Sequence, residues 1–435
     1  MKRRGFIPSV RTFQTMFNGL SRIENWSTFT KQLNHVKSLY EGYQQLVSSL
    51  RKYDANDPDL SPKPLADYIR ILGKAGDYQG IFDVYYAMDK EGPLAPNRLV
   101  YTALFQAIHA AMSDTTEGRV KVAADARLIW SQMMRSAKKN VDISPDSYTI
   151  SAAITALSGG NSMDHDLAFK IVGEYYGLVS DKATSQSSKL PLSSESLIAI
   201  LRLCNLSKNY ALCTQFYQQV RRRPEDLGGL SIIDRGHMEE VLKADISLRE
   251  SGLGYHAVQT LEWMIRQEIS GSNPKIRPGH STYLLVMRAC WYSADWDSAK
   301  RTFDLTTGYH SHDFMDGSVA ETPRLDNRRI HPPGAEFMSL MLRAALATRD
   351  KANLRQVLRI INHIGYDTIL ATRGDVVKET VKVNKARSFI HEKFNFALVE
   401  AVDRLLGDNG KHVRSNDKIT FEALAKRART DIPNS

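Results

Sequence analysis

Cysteine is scarce in this sequence: Cys204, Cys213 and Cys290 are the only three in 435 residues. An odd, sparse set without CxxC spacing argues against a disulfide framework or a structural zinc site. Each lies in an apolar stretch, so buried, reduced thiols are expected. No apolar run is long enough for a membrane-spanning helix, and none is expected. P-loop, GxSxG and GxGxxG fingerprints are missing too. His237-Met238-Glu239 offers the H-x-E half of a zinc deaminase without the CxxC that must follow it. The run His391-Glu392-Lys393-Phe394-Asn395 ends on asparagine where HExxH requires a second histidine. His310-Ser311-His312-Asp313 carries ligand atoms in a loop, but no further spaced ligands accompany it. No separate acidic domain with clustered aspartates offers a magnesium site for a nuclease. These gaps lead us to expect no enzyme, no cofactor and no metal.

What is present belongs to a folded chain: 42% of residues are hydrophobic and 24% charged. Length alone suggests two to four ordinary domains. The formal net charge of +10 favours polyanions, and a basic patch is the usual electrostatic footprint of nucleic-acid binding.

Internal repeats organise the sequence. Residues 10–20 (VRTFQTMFNGL), 98–108 (RLVYTALFQAI), 147–157 (SYTISAAITAL) and 280–290 (HSTYLLVMRAC) read alike. Each begins just after a proline turn: Pro8-Ser9, Pro96-Asn97, Pro145-Asp146 or Pro278-Gly279. Proline stops one helix, while Ser, Asn or Asp caps the next. Second helices follow, with Ala126 and Met133, Ala257 and Met264, and Ala299 and Thr306 each two helical turns apart on one face. The small member lets the second helix approach the first closely. Degraded units are read at 194–220, 237–264 and 335–361. Trp130 and Trp263 fall in second helices and Trp296 at a hairpin turn, all as packing anchors.

The pattern of a proline turn, a Thr-Tyr-like pair, an apolar helix and a small residue in a second helix resembles the pentatricopeptide repeat family. It spans about three quarters of the chain, best over 98–146 and 280–306, with 61–97 and 10–22 close behind. The tetratricopeptide signature of Trp, Leu-Gly and Tyr is missing. The resemblance implies an all-α, right-handed α-solenoid of stacked helix-turn-helix repeats that binds RNA. Irregular repeats, long insertions and the lack of plant-type editing motifs make it similar to a fungal-type mitochondrial member. The expected role is mitochondrial RNA processing, stability or translation, with maturation of small-subunit ribosomal RNA as one form. The expected partner is single-stranded or ribosomal RNA, beside mitochondrial ribosome proteins, and the chain is expected to be a monomer. The alternative is a protein-binding helical scaffold on the mitochondrial ribosome.

Within the family, bases are read by the fifth residue of each repeat and the last residue before the next. Carried onto this sequence, the fifth residues are Gln14, Ala66, Thr102, Ser151 and Leu284, and the last are Ser61, Asn97, Asp146 and Gly279. Only Thr102 with Asp146 makes a full donor and acceptor pair, for which the family's preference implies guanine. Phosphate contacts are expected from Arg70, Lys74, Arg221, Arg222, Arg223 and Arg343, with Lys382 and Lys385 as further cations. Arg324, Arg328, Arg329 and His331 are a further basic group, in the long loop, for RNA or a partner.

Along the chain, we read 1–61 as an incomplete first repeat plus an atypical helical segment and 62–179 as regular repeats. A Ser-rich, disordered linker at 180–194 precedes degraded and regular repeats at 195–306. A long loop at 307–334, a final repeat at 335–366, and a helical cap with a basic tail at 367–435 complete the reading. Residues 114–118 read as an insertion between two helices. Residues 1–8 read as the end of a preceding hairpin, so a chain lacking its N-terminal portion and its targeting sequence is expected.

Overall fold

Each stretch that a proline turn delimits folds as a helix, and the caps act as the sequence suggests. In the computed structural model, residues 8–54, 57, 59–112, 114–180, 188–318, 330–371, 381–407 and 413–432 are described. Residues 1–5, Arg324, Arg328, Arg329 and the side chains of Lys382 and Lys385 lie outside them. Among the described residues the chain is helical and contains no strand. It divides into two compact units, Met1–Ile232 and Ile233–Ser435.

The first unit holds α1 (Val10–Leu20), α2 (Thr30–Tyr53), α3 (Lys63–Ala75), α4 (Tyr78–Tyr86) and α5 (Arg98–Met112). It continues with α6 (Thr116–Lys139), α7 (Ser147–Leu157), α8 (Ser162–Tyr176), α9 (Ser194–Leu206) and α10 (Tyr210–Arg221). Odd-numbered helices pack side by side: α1 on α3, α3 on α5, α5 on α7, α7 on α9. Each even-numbered helix packs on the odd one before it, and α4, α6 and α8 also pack on the odd one after. Hairpins are therefore the unit of packing. The contact between α3 and α5 shows why they adhere. Ile69, Ile71, Leu72, Val100, Leu104, Phe105 and Ile108 are all buried, and each such side chain contributes roughly 1.5–3 kcal/mol. Gly73 permits the approach: a Cβ there would lie 2.5 Å from the Ala107 Cα.

The second unit holds α11 (Arg235–Leu248), α12 (Leu253–Ile269), α13 (His280–Tyr292), α14 (Trp296–Thr307), α15 (Ala335–Thr348) and α16 (Lys351–Ile364). A short α17 (Tyr366–Ala371) precedes α18 (Val381–Leu406) and α19 (Ser415–Thr430). The same scheme recurs, with α11 on α13, α13 on α15 and α15 on α18. Thus α18 occupies the place of the next first helix and α19 pairs with it as a second helix. Ala126, Met133, Ala257, Met264, Ala299 and Thr306 are all buried, as their shared-face spacing requires. Several hairpins turn through a residue in the left-handed region: Gly76, Lys208, Arg249, Ala294 and Arg349. Trp130 and Trp296 are buried, and the Trp296 indole donates to Gln356 Oε1 at 3.0 Å.

Two sequence expectations are corrected. Residues 114–118 are not an insertion for their whole length, because α6 begins at Thr116. Thr115 caps it by accepting from the Gly118 amide at 3.0 Å, and the extra length of this repeat lies in the 24 residues of α6 itself. The basic tail is likewise a packed helix: Phe421, Leu424, Ala425 and Ala428 of α19 are buried at helical spacing. Of the Ser-rich segment, the described part is anchored, with the Leu192 amide bonded to the Leu227 carbonyl at 3.1 Å. All three cysteines are buried. Burial pushes the Cys290 thiol up to about 12 and raises Cys204 as well, so both remain protonated.

Candidate nucleic-acid interface

At Thr102, Ser151 and Glu239 the fifth residue after a helix cap is bonded to the next first helix. Thr102 is buried; its hydroxyl lies 2.9 Å from the Arg98 carbonyl and 2.7 Å from the Thr149 hydroxyl. Thr149 in turn donates from its amide and its hydroxyl to Asp146 Oδ1 at 2.9 and 2.8 Å. Asp146 Oδ2 completes the chain with Arg98 Nε at 3.3 Å. The one persuasive base-reading pair is thus joined inside the protein through Thr149. Ser151 repeats the arrangement one hairpin on, 2.8 Å from the Ser196 hydroxyl, which also meets Tyr176 OH at 2.7 Å. In the second unit Thr282 donates to Glu239 Oε1 at 2.8 Å across the equivalent gap.

The other reading positions have local roles. Asn97 caps α5, accepting from the Val100 amide at 3.1 Å. Ser61 precedes α3; its hydroxyl accepts from the Lys63 amide at 3.3 Å and its carbonyl accepts from Tyr43 OH at 2.9 Å. Ala66 is buried, Gln14 is half-buried on α1, and Leu284 packs against the core. Gly279 sits at the start of α13, beside the Arg235 guanidinium.

The cations separate into two groups. Arg221, Arg222 and Arg223 end a second helix: Arg221 lies over the Tyr217 ring at 5.7 Å and Arg222 is exposed. Arg223 points inward to donate to the Tyr176 carbonyl, and burial holds its guanidinium below its ordinary value. Arg70, Lys74 and Arg343 lie on first helices. Arg70 binds Asp67 at 2.8 Å and Gln106 Oε1 at 3.1 Å, while Lys74 reaches Glu24 at 2.7 Å. Arg343 lies over Trp291 at 5.0 Å.

A register missed in the sequence now emerges. Counting nine residues on from the helix caps Ser9, Asn97, Asp146, Ser193, Asp234, Gly279 and Gly334 gives Asn18, Gln106, Thr155, Arg202, Lys243, Arg288 and Arg343. In α3 the counterpart is Arg70, placed by its bond to Gln106. No member is acidic, and five of the eight are cations. All are exposed or half-buried. The signal was available as a fixed offset from each cap, but it is invisible unless the caps are known.

Two members of this register, Thr155 and Arg202, also line a cavity of about 310 Å³ between α5, α6, α7 and α9. His109, Arg119, Ser158 and Leu206 are also in its wall. Burial keeps the His109 imidazole below its ordinary value and hence neutral near pH 7. The charge around the cavity therefore comes from its two arginines.

The His237 ring accepts from the Asp234 amide at 3.0 Å as part of a capping box, which explains that histidine without invoking zinc. Among the described residues no group of three or more His, Cys, Asp or Glu is placed to hold a metal ion. No helix among them is long and apolar enough to cross a membrane. His331 of the long loop packs its ring against Tyr283 at 5.1 Å. No protein-family model matches the chain, and no curated protein matches it.

Proposed function

We propose that this protein is an RNA-binding helical-repeat protein of the pentatricopeptide type, its hairpins forming a right-handed α-solenoid. The observation that carries the reading is the register of first-helix side chains without a carboxylate. A polyanionic backbone would meet Arg70 and Arg202 on the first unit, and Lys243, Arg288 and Arg343 on the second. Phosphate contacts of this kind position a strand without reading its sequence. The internal bonding of Thr102, Asp146 and Ser151 fits the same picture: affinity comes mainly from charge and shape, and base preference is modest. The resemblance to the family supplies the setting, which is processing, stability or translation of mitochondrial RNA, with small-subunit ribosomal RNA as one target. A second reading, a protein-binding scaffold on the mitochondrial ribosome, draws on those same internally bonded base-reading positions.

Fluorescence anisotropy with a labelled 20-nucleotide single-stranded RNA tests the first reading. Binding should weaken with salt as counterions are released, with a slope of about 0.7 in log K for each neutralised phosphate. The double variant Arg202→Gln, Arg288→Gln should make that slope shallower by about 1.4. An unchanged slope would remove the register from the interface.

A further inference from the structure

We propose that Arg249, Tyr292, Trp291 and Arg343 form a base-stacking platform for single-stranded RNA on the Ile233–Ser435 unit. The inference rests on the RNA-binding reading and goes beyond it, because it names a site for bases where that reading assigned only charge. The helix α13 ends on an adjacent aromatic pair, Trp291 and Tyr292, whose ring centroids are 4.9 Å apart. Arg249, at the end of α11, lies 4.7 Å from the centre of the Tyr292 ring. Arg343, from α15, lies 5.0 Å from the centre of the Trp291 ring. Three successive first helices thus contribute one row in the order cation, ring, ring, cation.

This row is open. Tyr292 is 41% exposed, Arg249 is exposed, and Trp291 and Arg343 are half-buried. Among the described residues neither Arg249 nor Arg343 has a carboxylate partner, so both guanidinium charges remain for phosphates. Neighbouring cations behave differently: Glu240 holds Lys243 at 2.9 Å and Glu336 lies 3.7 Å from Arg288. Every base presents a π-face, so rings and guanidinium planes stack on bases with little regard to sequence. Arg249 also keeps a side chain at φ 54°, in the left-handed region that favours glycine. An acidic protein partner would find the two arginines but gain nothing from two adjacent half-open rings, so RNA is the favoured occupant.

The test compares the full chain with Trp291→Ala, Tyr292→Ala and Trp291→Phe on two labelled strands. One is a 20-nucleotide single-stranded RNA, and the other carries the same backbone without bases. Each alanine variant should weaken RNA binding by about 5- to 150-fold and leave binding of the abasic strand unchanged. Trp291→Phe should recover most of the loss. Equal weakening on both strands, or no weakening on either, would overturn the platform while leaving the RNA-binding reading intact. Wild-type protein that binds neither strand would overturn both. A protein partner that survives nuclease treatment on wild type and is lost from Tyr292→Ala would also overturn the platform. Should Trp291→Ala not fold, the surface variant Tyr292→Ala and the conservative Trp291→Phe decide the matter.

Discussion

Asp146 carries three bonds at once, to the amide and hydroxyl of Thr149 and to the guanidinium of Arg98. A cap of this kind is worth about 1 kcal/mol, and asparagine serves nearly as well as aspartate. Asp146→Ala should therefore lower the urea-denaturation stability of the chain by about 1 kcal/mol. Asp146→Asn should change stability by a few tenths and leave base preference as it was. Altered base preference in Asp146→Asn at unchanged stability would return Asp146 to base reading. Sequence alone offers Thr102 and Asp146 as a donor and acceptor pair for a base edge. It did not reveal their partner, because Thr149 meets Thr102 only when α7 stacks on α5, and no local pattern encodes that contact. Trp291 and Tyr292 went unnoticed for a related reason: aromatic residues ending an apolar helix read as core until their exposure is known.

At the scale of elements, the proline turns and caps were legible because they act within a few residues. The run read at 147–157 is the whole of α7, and the run read at 10–20 is the whole of α1. Misreadings arose where composition hid a cap or a face. Thr115 and Gly118 looked like loop residues, yet they are the cap and third residue of α6. The lysines and arginines of α19 outweighed the four apolar residues that bury it, and the arginines instead reach back to carboxylates, Arg427 to Asp367 and Arg429 to Asp403. Close packing between hairpins makes a sharper prediction. Gly73→Ala places its methyl group 2.7 Å from the Ala107 Cβ and 2.8 Å from the Ala107 carbonyl oxygen. Neither contact can yield without moving α3 from α5, so a loss of about 1–3 kcal/mol is expected. Gly19→Ala is the control, since nothing stands within 4 Å of its Cβ. Equal melting temperatures for the two variants would contradict the packing of α3 on α5.

For the molecule as a whole, part of the positive charge falls at a fixed register of the first helices. Arg221, Arg222 and Arg223, a dense basic run in the sequence, lie at the end of a second helix, whereas the register cations of each unit lie on first helices. Dense runs draw the eye in a sequence, while a row with one member per repeat does not. The central question is whether RNA meets those first-helix cations in the cell. Ultraviolet crosslinking of the tagged full chain, followed by sequencing of the recovered RNA and mapping of crosslinked peptides, addresses this directly. The expected result is enrichment of mitochondrial transcripts, with crosslinks in peptides of the first helices, including the one ending in Trp291-Tyr292. Recovery of no transcript above background, with protein partners that persist after nuclease treatment, would contradict it.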